Sequence, residues 1–195
     1  MNKLEGFYAL NDLRLPTVPW KQYKKETVLD DTILWTIRSA VVRGDDLNLP
    51  RKIGVTASEA DSFAKMLLNK LGDNDLIIYY PYFIALKSGV MDVSNNRIVI
   101  EAVAEDLWNL VTYNEKNVTI IITDNDSSYV GDKEFITEAE LKELLKFSSV
   151  IKRTFRDEIY SGRSVLLEWS YSMKSDLNKQ PIGEKSLVFY EARTI

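Results

Sequence analysis

Two hydrophobic periods run through the chain, and they separate its elements. Over residues 57–71 the apolar positions Phe63, Ala64, Leu67, Leu68 and Leu71 recur at helical spacing. Thr56 and Glu59 form a capping box ahead of that stripe, and Gly72 stops it. The spacing predicts a second helix over 138–157, opened by Thr137 and Glu140, with Leu141, Leu144, Leu145, Ile151 and Phe155 on one face. Leu4, Phe7, Tyr8, Leu10 and Leu13 predict a third over 3–13, which the two prolines of "LPTVPW" end. The remaining apolar runs are short, β-branched and bounded by turn residues, which predicts strands. They are "TILWTIRSAVV" at 32–42, "DLIIYYP", "KSGVMDVS", "RIVIEAV" and "VTIIIT". Residues 105–111 suit one or two helical turns. Two closing strands, Val165–Tyr171 and Leu187–Ala192, flank a polar gap. The class is α+β. A composition shift near Gly72 to Asn74 divides a mixed part, 1–72, from a strand-rich part, 73–195.

Composition narrows the chemistry. The 195 residues carry a net charge of −4, with Lys and Arg spread along the chain, so non-specific nucleic-acid binding is not suggested. There is no Cys and no His. Thiol chemistry, a Ser-His-Asp triad and a phosphohistidine within this chain are excluded, and any metal is a hard cation on oxygen ligands, Mg²⁺ first. "MNKLEGFYALNDL" has acids and no sustained apolar stretch, and no run approaches the ~18 apolar residues of a membrane span. The expectation is a cytoplasmic protein.

Charged groups inside apolar runs are the candidates for function. Glu168 sits in the middle of "VLLEWSY", where alternation puts it on a face with Leu166 and Ser170. A carboxylate there is either a solvent-facing strand residue or a ligand for Mg²⁺. Arg38 interrupts the strand "TIRSA"; its planar fork of donors suits phosphate oxygens, and a strand-end surface Arg is the plainer alternative. Glu191 and Arg193 lie two apart on one face and read as an ion pair, worth ~0–1 kcal/mol if exposed, or as groups that meet a phosphate or a metal. Tyr79, Tyr80, Tyr82 and Phe83 read as core or cleft wall. "SSYVGDK" at 127–133 is the one loop with a phosphate-cradling flavour in a chain of 8 glycines.

Several of these stretches fall, in order, on the pattern of a known family. "LLEW" at Leu166–Trp169 and "YEAR" at Tyr190–Arg193, after the 138–157 helix, resemble the end of the nucleotide-binding domain of phosphoenolpyruvate synthases and pyruvate phosphate dikinases. "KLEGFYALNDLRLPTVP", "IRSAVVRGDDLNLP", "IIYYPYFIALKSGVMDV" and "RIVIEA" resemble its earlier segments. That resemblance implies an ATP-grasp fold, with largely antiparallel sheets, helices packed on one face and a reduced lid, since Pro16 and Arg38 stand closer together than in the family. It places Lys3 and Arg38 on the phosphates, Tyr79 or Tyr80 near the adenine, Glu168 on the metal side, and Glu191 and Arg193 on the hairpin that meets Mg-ATP. The chain departs from the pattern at Leu166, where the family has an Asp, at Glu191, where it has a Gln, and after "IEA", where the glycines are missing.

The resemblance implies an ATP-binding domain, stand-alone in form, with ATP and Mg as cofactors and phosphoryl transfer as the activity. Phosphoryl transfer rests on positioning and charge neutralisation, so a protein without His is not barred from it. The acceptor histidine would then belong to a separate phosphohistidine or catalytic subunit. A catalytically inactive nucleotide-binding protein, or a regulatory or interaction subunit that keeps the fold, fits the same residues.

Overall fold

In the computed structural model, residues 3–40, 49–70 and 76–195 are described. Two antiparallel sheets carry the chain. The smaller has the order β1-β4-β2-β3, from Lys21–Gln22, Leu76–Pro81, Trp35–Ala40 and Arg51–Val55. The larger has the order β10-β9-β5-β6-β7-β8. Its strands are Phe83–Val93 (β5), Arg97–Ala104 (β6), Val118–Thr123 (β7), Ser127–Gly131 (β8), Val165–Ser175 (β9) and Pro181–Thr194 (β10). The chain passes from one sheet to the other across Tyr82 alone, between β4 and β5. The closing strands pair antiparallel, as their patterns predict, and β9 also pairs with β5.

Helix α2 (Ala57–Leu68) lays Ala60, Ala64 and Leu67 on the small sheet, against Tyr23, Trp35, Ile37 and Ile77. Its capping box forms as the sequence predicts, while Leu68 is exposed. The predicted boundary at Gly72–Asn74 lies outside the described residues. The turn predicted at 105–111 is the short helix α3 (Trp108–Tyr113), and the 138–157 helix is three segments: α4 (Glu138–Lys146), α5 (Ser148–Thr154) and α6 (Arg156–Tyr160). The breaks fall at Phe147, whose ring meets Phe189 edge-on, and at the buried Phe155. Ser148 Oγ donates to the Leu145 carbonyl at the first break, a side-chain bond that competes with the helix ladder. "SSYVGDK" is not a cradle: Ser127–Gly131 is the edge strand β8.

One face of the large sheet packs on these helices. Met91, Ile100, Ile120, Leu167, Trp169 and Phe189 meet Leu144, Ile151, Phe155 and Ile159 there. Gly89 lies beneath Trp169, and a Cβ on it would run into that ring and the Glu101 carbonyl, so the strand needs glycine at this point. Helix α1 (Lys3–Asp12) lies against β10, and a side chain at Gly6 would strike the Ala192 carbonyl. A charged knot ties the helical layer to the sheet. Glu140, 4% exposed, accepts from Lys87 Nζ (2.8 Å), Lys185 Nζ (2.7 Å) and the Thr137 amide (2.9 Å). Burial pushes its carboxyl up, but those bonds outweigh burial and hold it at about 2.

Candidate functional site

The faces turned away from α2 and from α4–α6 carry the candidate residues. On β2, Trp35 and Ile37 point to α2, so alternation turns Arg38 the other way. There its guanidinium lies 5.5 Å from the Phe7 ring centre of α1, with a side chain only 11% exposed. On β4, Ile78 and Tyr80 join Phe7 and Val18 on that same face, while Tyr79 packs with Trp35 and Tyr23 on the α2 side.

On β9, Leu167, Trp169 and Tyr171 enter the helical core, leaving Leu166, Glu168 and Ser170 on the opposite face. On β10 a register shift between Phe189 and Glu191 makes Tyr190 the extra residue of a bulge. Unbroken alternation from Leu187 and Phe189 would send Glu191 into the helical core. The bulge instead sets Glu191 opposite Glu168, with Arg193 opposite Leu166. The row continues from Glu168 to Val90 of β5 and Glu101 of β6, and the next row runs Arg193, Leu166, Asp92.

Arg193 Nη2 lies 2.6 Å from Glu191 Oε1 and donates to Glu168 Oε1 at 3.1 Å. Arg38 Nη2 stands 4.0 Å from Glu191 Oε2, longer than a hydrogen bond. Glu191 is 3% exposed. A buried carboxylate needs such pairing to stay charged. Burial pushes the Tyr80 hydroxyl up, and the adjacent Arg38 only partly offsets it. Burial together with Glu168 holds the Tyr190 hydroxyl well above its usual value, against a hydrogen bond from Ser170. Phe83 lies between the rings of Tyr80 and Tyr190, completing an aromatic wall.

The structure thus brings Arg38, Tyr80, Glu168, Glu191 and Arg193 together between the sheets. It puts Tyr79 on the other face, where it lines a hollow of 240 Å³ with Pro19, Lys21, Val28, Asp30, Trp35 and Pro81. The Lys3 side chain lies outside the described residues. Sequence reasoning missed Phe7, which backs Arg38, and Asp92, whose Oδ1 is buried with no hydrogen-bond partner among the described residues. Asp92 carried the same signal as Glu168, an acid inside an apolar strand.

No family model and no curated protein matches the chain. Among solved structures, D-alanine–D-alanine ligase from Helicobacter pylori has a TM-score of 0.50 at 11% identity, covering 98% of this chain and 50% of that one. The fold is the ATP-grasp fold. The D-alanine–D-alanine ligase of Bacillus anthracis has a TM-score of 0.49 at 14% identity, over 100% of this chain and 56% of that one. L-amino acid ligase from Bacillus licheniformis gives 0.47 at 13%, over 98% and 39%. This ATP-grasp chain therefore spans about half the length of these ligases, or less, and the likeness is one of fold.

The resemblance of the closing strands implies a metal on Glu168 and Glu191, and the donor set tests it. Among the described residues no three acids gather to hold a metal ion. The two carboxylates that face each other, Glu168 and Glu191, both hold Arg193. That set does not fit a protein-held Mg²⁺.

Proposed function

We propose that the chain binds ATP between its two sheets, with the polyphosphate at Arg38 and the base on the Tyr80 side of β4. The observation that carries this reading is the convergence of Arg38, from the small sheet, on Glu168, Glu191 and Arg193 of the closing hairpin in an ATP-grasp fold. Arg38 is suited to the role. It is preset by the Phe7 ring and the Tyr80 hydroxyl and stands 4.0 Å from its carboxylate, beyond hydrogen-bonding distance, so an anion would compete only with Tyr80 for its donors.

The motif order further supports a relation to the nucleotide-binding domain of phosphoenolpyruvate synthases, with phosphoryl transfer as the chemistry and the cytoplasm as the location. In that reading Arg38 and Arg193 neutralise developing charge, and no protein base is required. Because these 195 residues include no His, a phosphohistidine acceptor lies outside them. The division into 1–72 and 73–195 follows the same reading, the nucleotide lying between the two parts. Leu166 and the mutual pairing of the four charges favour slow turnover or none over fast catalysis.

Thermal denaturation with ATP and Mg²⁺ tests the reading. ATP at 100 times its dissociation constant adds about 2.7 kcal/mol. For a chain of this length that raises the melting temperature by about 5–10 °C. No shift at millimolar ATP would reject nucleotide binding and leave an interaction subunit as the reading of the fold.

A further inference from the structure

We propose that Arg193 is the resident cation of this site: its guanidinium takes the position between Glu168 and Glu191 that a divalent metal would occupy, so nucleotide binding here does not depend on a metal. The part concerning nucleotide rests on the ATP-binding reading above; the part concerning the carboxylates does not.

The bulge at Tyr190 creates the need for this cation. By making Tyr190 the extra residue, it sets Glu191 directly across the ladder from Glu168. Two carboxylates opposite each other on one sheet face repel, and the repulsion grows as they are buried. Glu191 is 3% exposed and the Glu168 side chain 15%. Such a pair stays doubly charged only with a cation between its members. The chain supplies one two residues further along the same strand and on the same face. A single nitrogen, Arg193 Nη2, meets Glu191 Oε1 at 2.6 Å and Glu168 Oε1 at 3.1 Å.

The guanidinium is part of the chain itself, so this cation stays at the site whether or not metal is supplied. Its neighbours agree with the assignment. Leu166, opposite Arg193, offers no oxygen to a metal. Arg38 faces the other Glu191 oxygen, so both oxygens of that carboxylate are turned to guanidinium groups. A Mg²⁺ that used both carboxylates would have to displace Arg193, and it gives up its own waters reluctantly. The guanidinium groups of Arg38 and Arg193 then balance the two carboxylates, so metal-free nucleotide meets no uncovered pair of acids.

The experiment titrates Mn²⁺ alone into the protein, followed by the electron paramagnetic resonance signal of the free ion. The wild type is compared with Arg193→Met, Arg193→Gln and the double variant Glu168→Gln/Arg193→Met. Expected is no measurable uptake by the wild type and at least tenfold tighter Mn²⁺ binding by the single variants. The double variant should lose that gain. Arg193→Gln, closer in shape, serves if Arg193→Met does not melt cooperatively. Uptake by the wild type within threefold of the single variants overturns the proposal, as does a folded single variant that gains nothing. A second arm measures ATP affinity of the wild type by calorimetry with Mg²⁺ and with a chelator. Agreement within threefold supports the proposal, and a tenfold loss in chelator overturns it. Absence of ATP binding under both conditions would instead sink the ATP-binding reading, and the Mn²⁺ arm would still decide the role of Arg193.

Discussion

Arg38→Met should lower ATP affinity about 100-fold while moving the melting temperature by only a few degrees. The asymmetry follows from the surroundings of Arg38. Its pairing with Glu191 is long, at 4.0 Å, and Glu191 keeps Arg193 at 2.6 Å when Arg38 is removed. Methionine retains an unbranched, polarizable side chain against the Phe7 ring, so little packing is lost. Binding loses more, because truncating one side of a desolvated charge pair costs about 2–5 kcal/mol, and every 1.4 kcal/mol is tenfold. Calorimetric titration of both proteins with ATP, beside their thermal melts, checks it. Unchanged affinity in a well-folded Arg38→Met protein would place the phosphates elsewhere.

Glu140→Gln should cost about 3 kcal/mol at pH 7, and the cost should disappear in acid. The substitution keeps the shape of the side chain but leaves Lys87 and Lys185 around a neutral group. The Glu140 carboxyl is held at about 2 in the folded chain against 4.5 ordinarily. A depressed carboxyl contributes its stability above the unfolded value and loses it as pH falls towards the folded one. Every tenfold change in proton affinity is worth about 1.36 kcal/mol, so this depression also amounts to about 3 kcal/mol. The gap between wild type and variant is therefore full above about pH 5 and closes between about pH 4.5 and 2. Denaturant melts at pH 7 and pH 2.5 measure it. An equal gap at both would show that the lost contribution is packing and not charge.

Much of the architecture was legible because its signals are local. The capping boxes at Thr56 and Thr137, the helical stripes and the β-branched runs each depend on residues a few positions apart. What escaped depends on partners distant in sequence. "DLIIYYP" and "KSGVMDVS" follow each other as strands in the sequence, yet they belong to different sheets, a division no local signal marks. Tyr79 and Tyr80 could not be told apart because β4 is covered on both faces, by α2 on one and by Phe7 and Val18 on the other, so neither face is polar. The 138–157 helix broke where Phe147 and Phe155 turn into the core, a packing choice that a periodic stripe does not reveal. The bulge at Tyr190 is the most consequential omission. Simple alternation sends Glu191 to the Phe189 side, and only the register shift returns it to Glu168 and Arg38. In the candidate site, Glu168 and Arg38 were found because a charge inside an apolar strand needs a reason. The same rule applied to Asp92 would have added it.

A crystal structure with a non-hydrolysable ATP analogue tests the central claim most directly. The account predicts phosphate oxygens within about 3 Å of the Arg38 guanidinium, between the sheets, with Arg193 still between Glu168 and Glu191. An analogue bound instead in the hollow beside Tyr79, Trp35 and Pro19, with Arg38 still turned to Glu191, would contradict it.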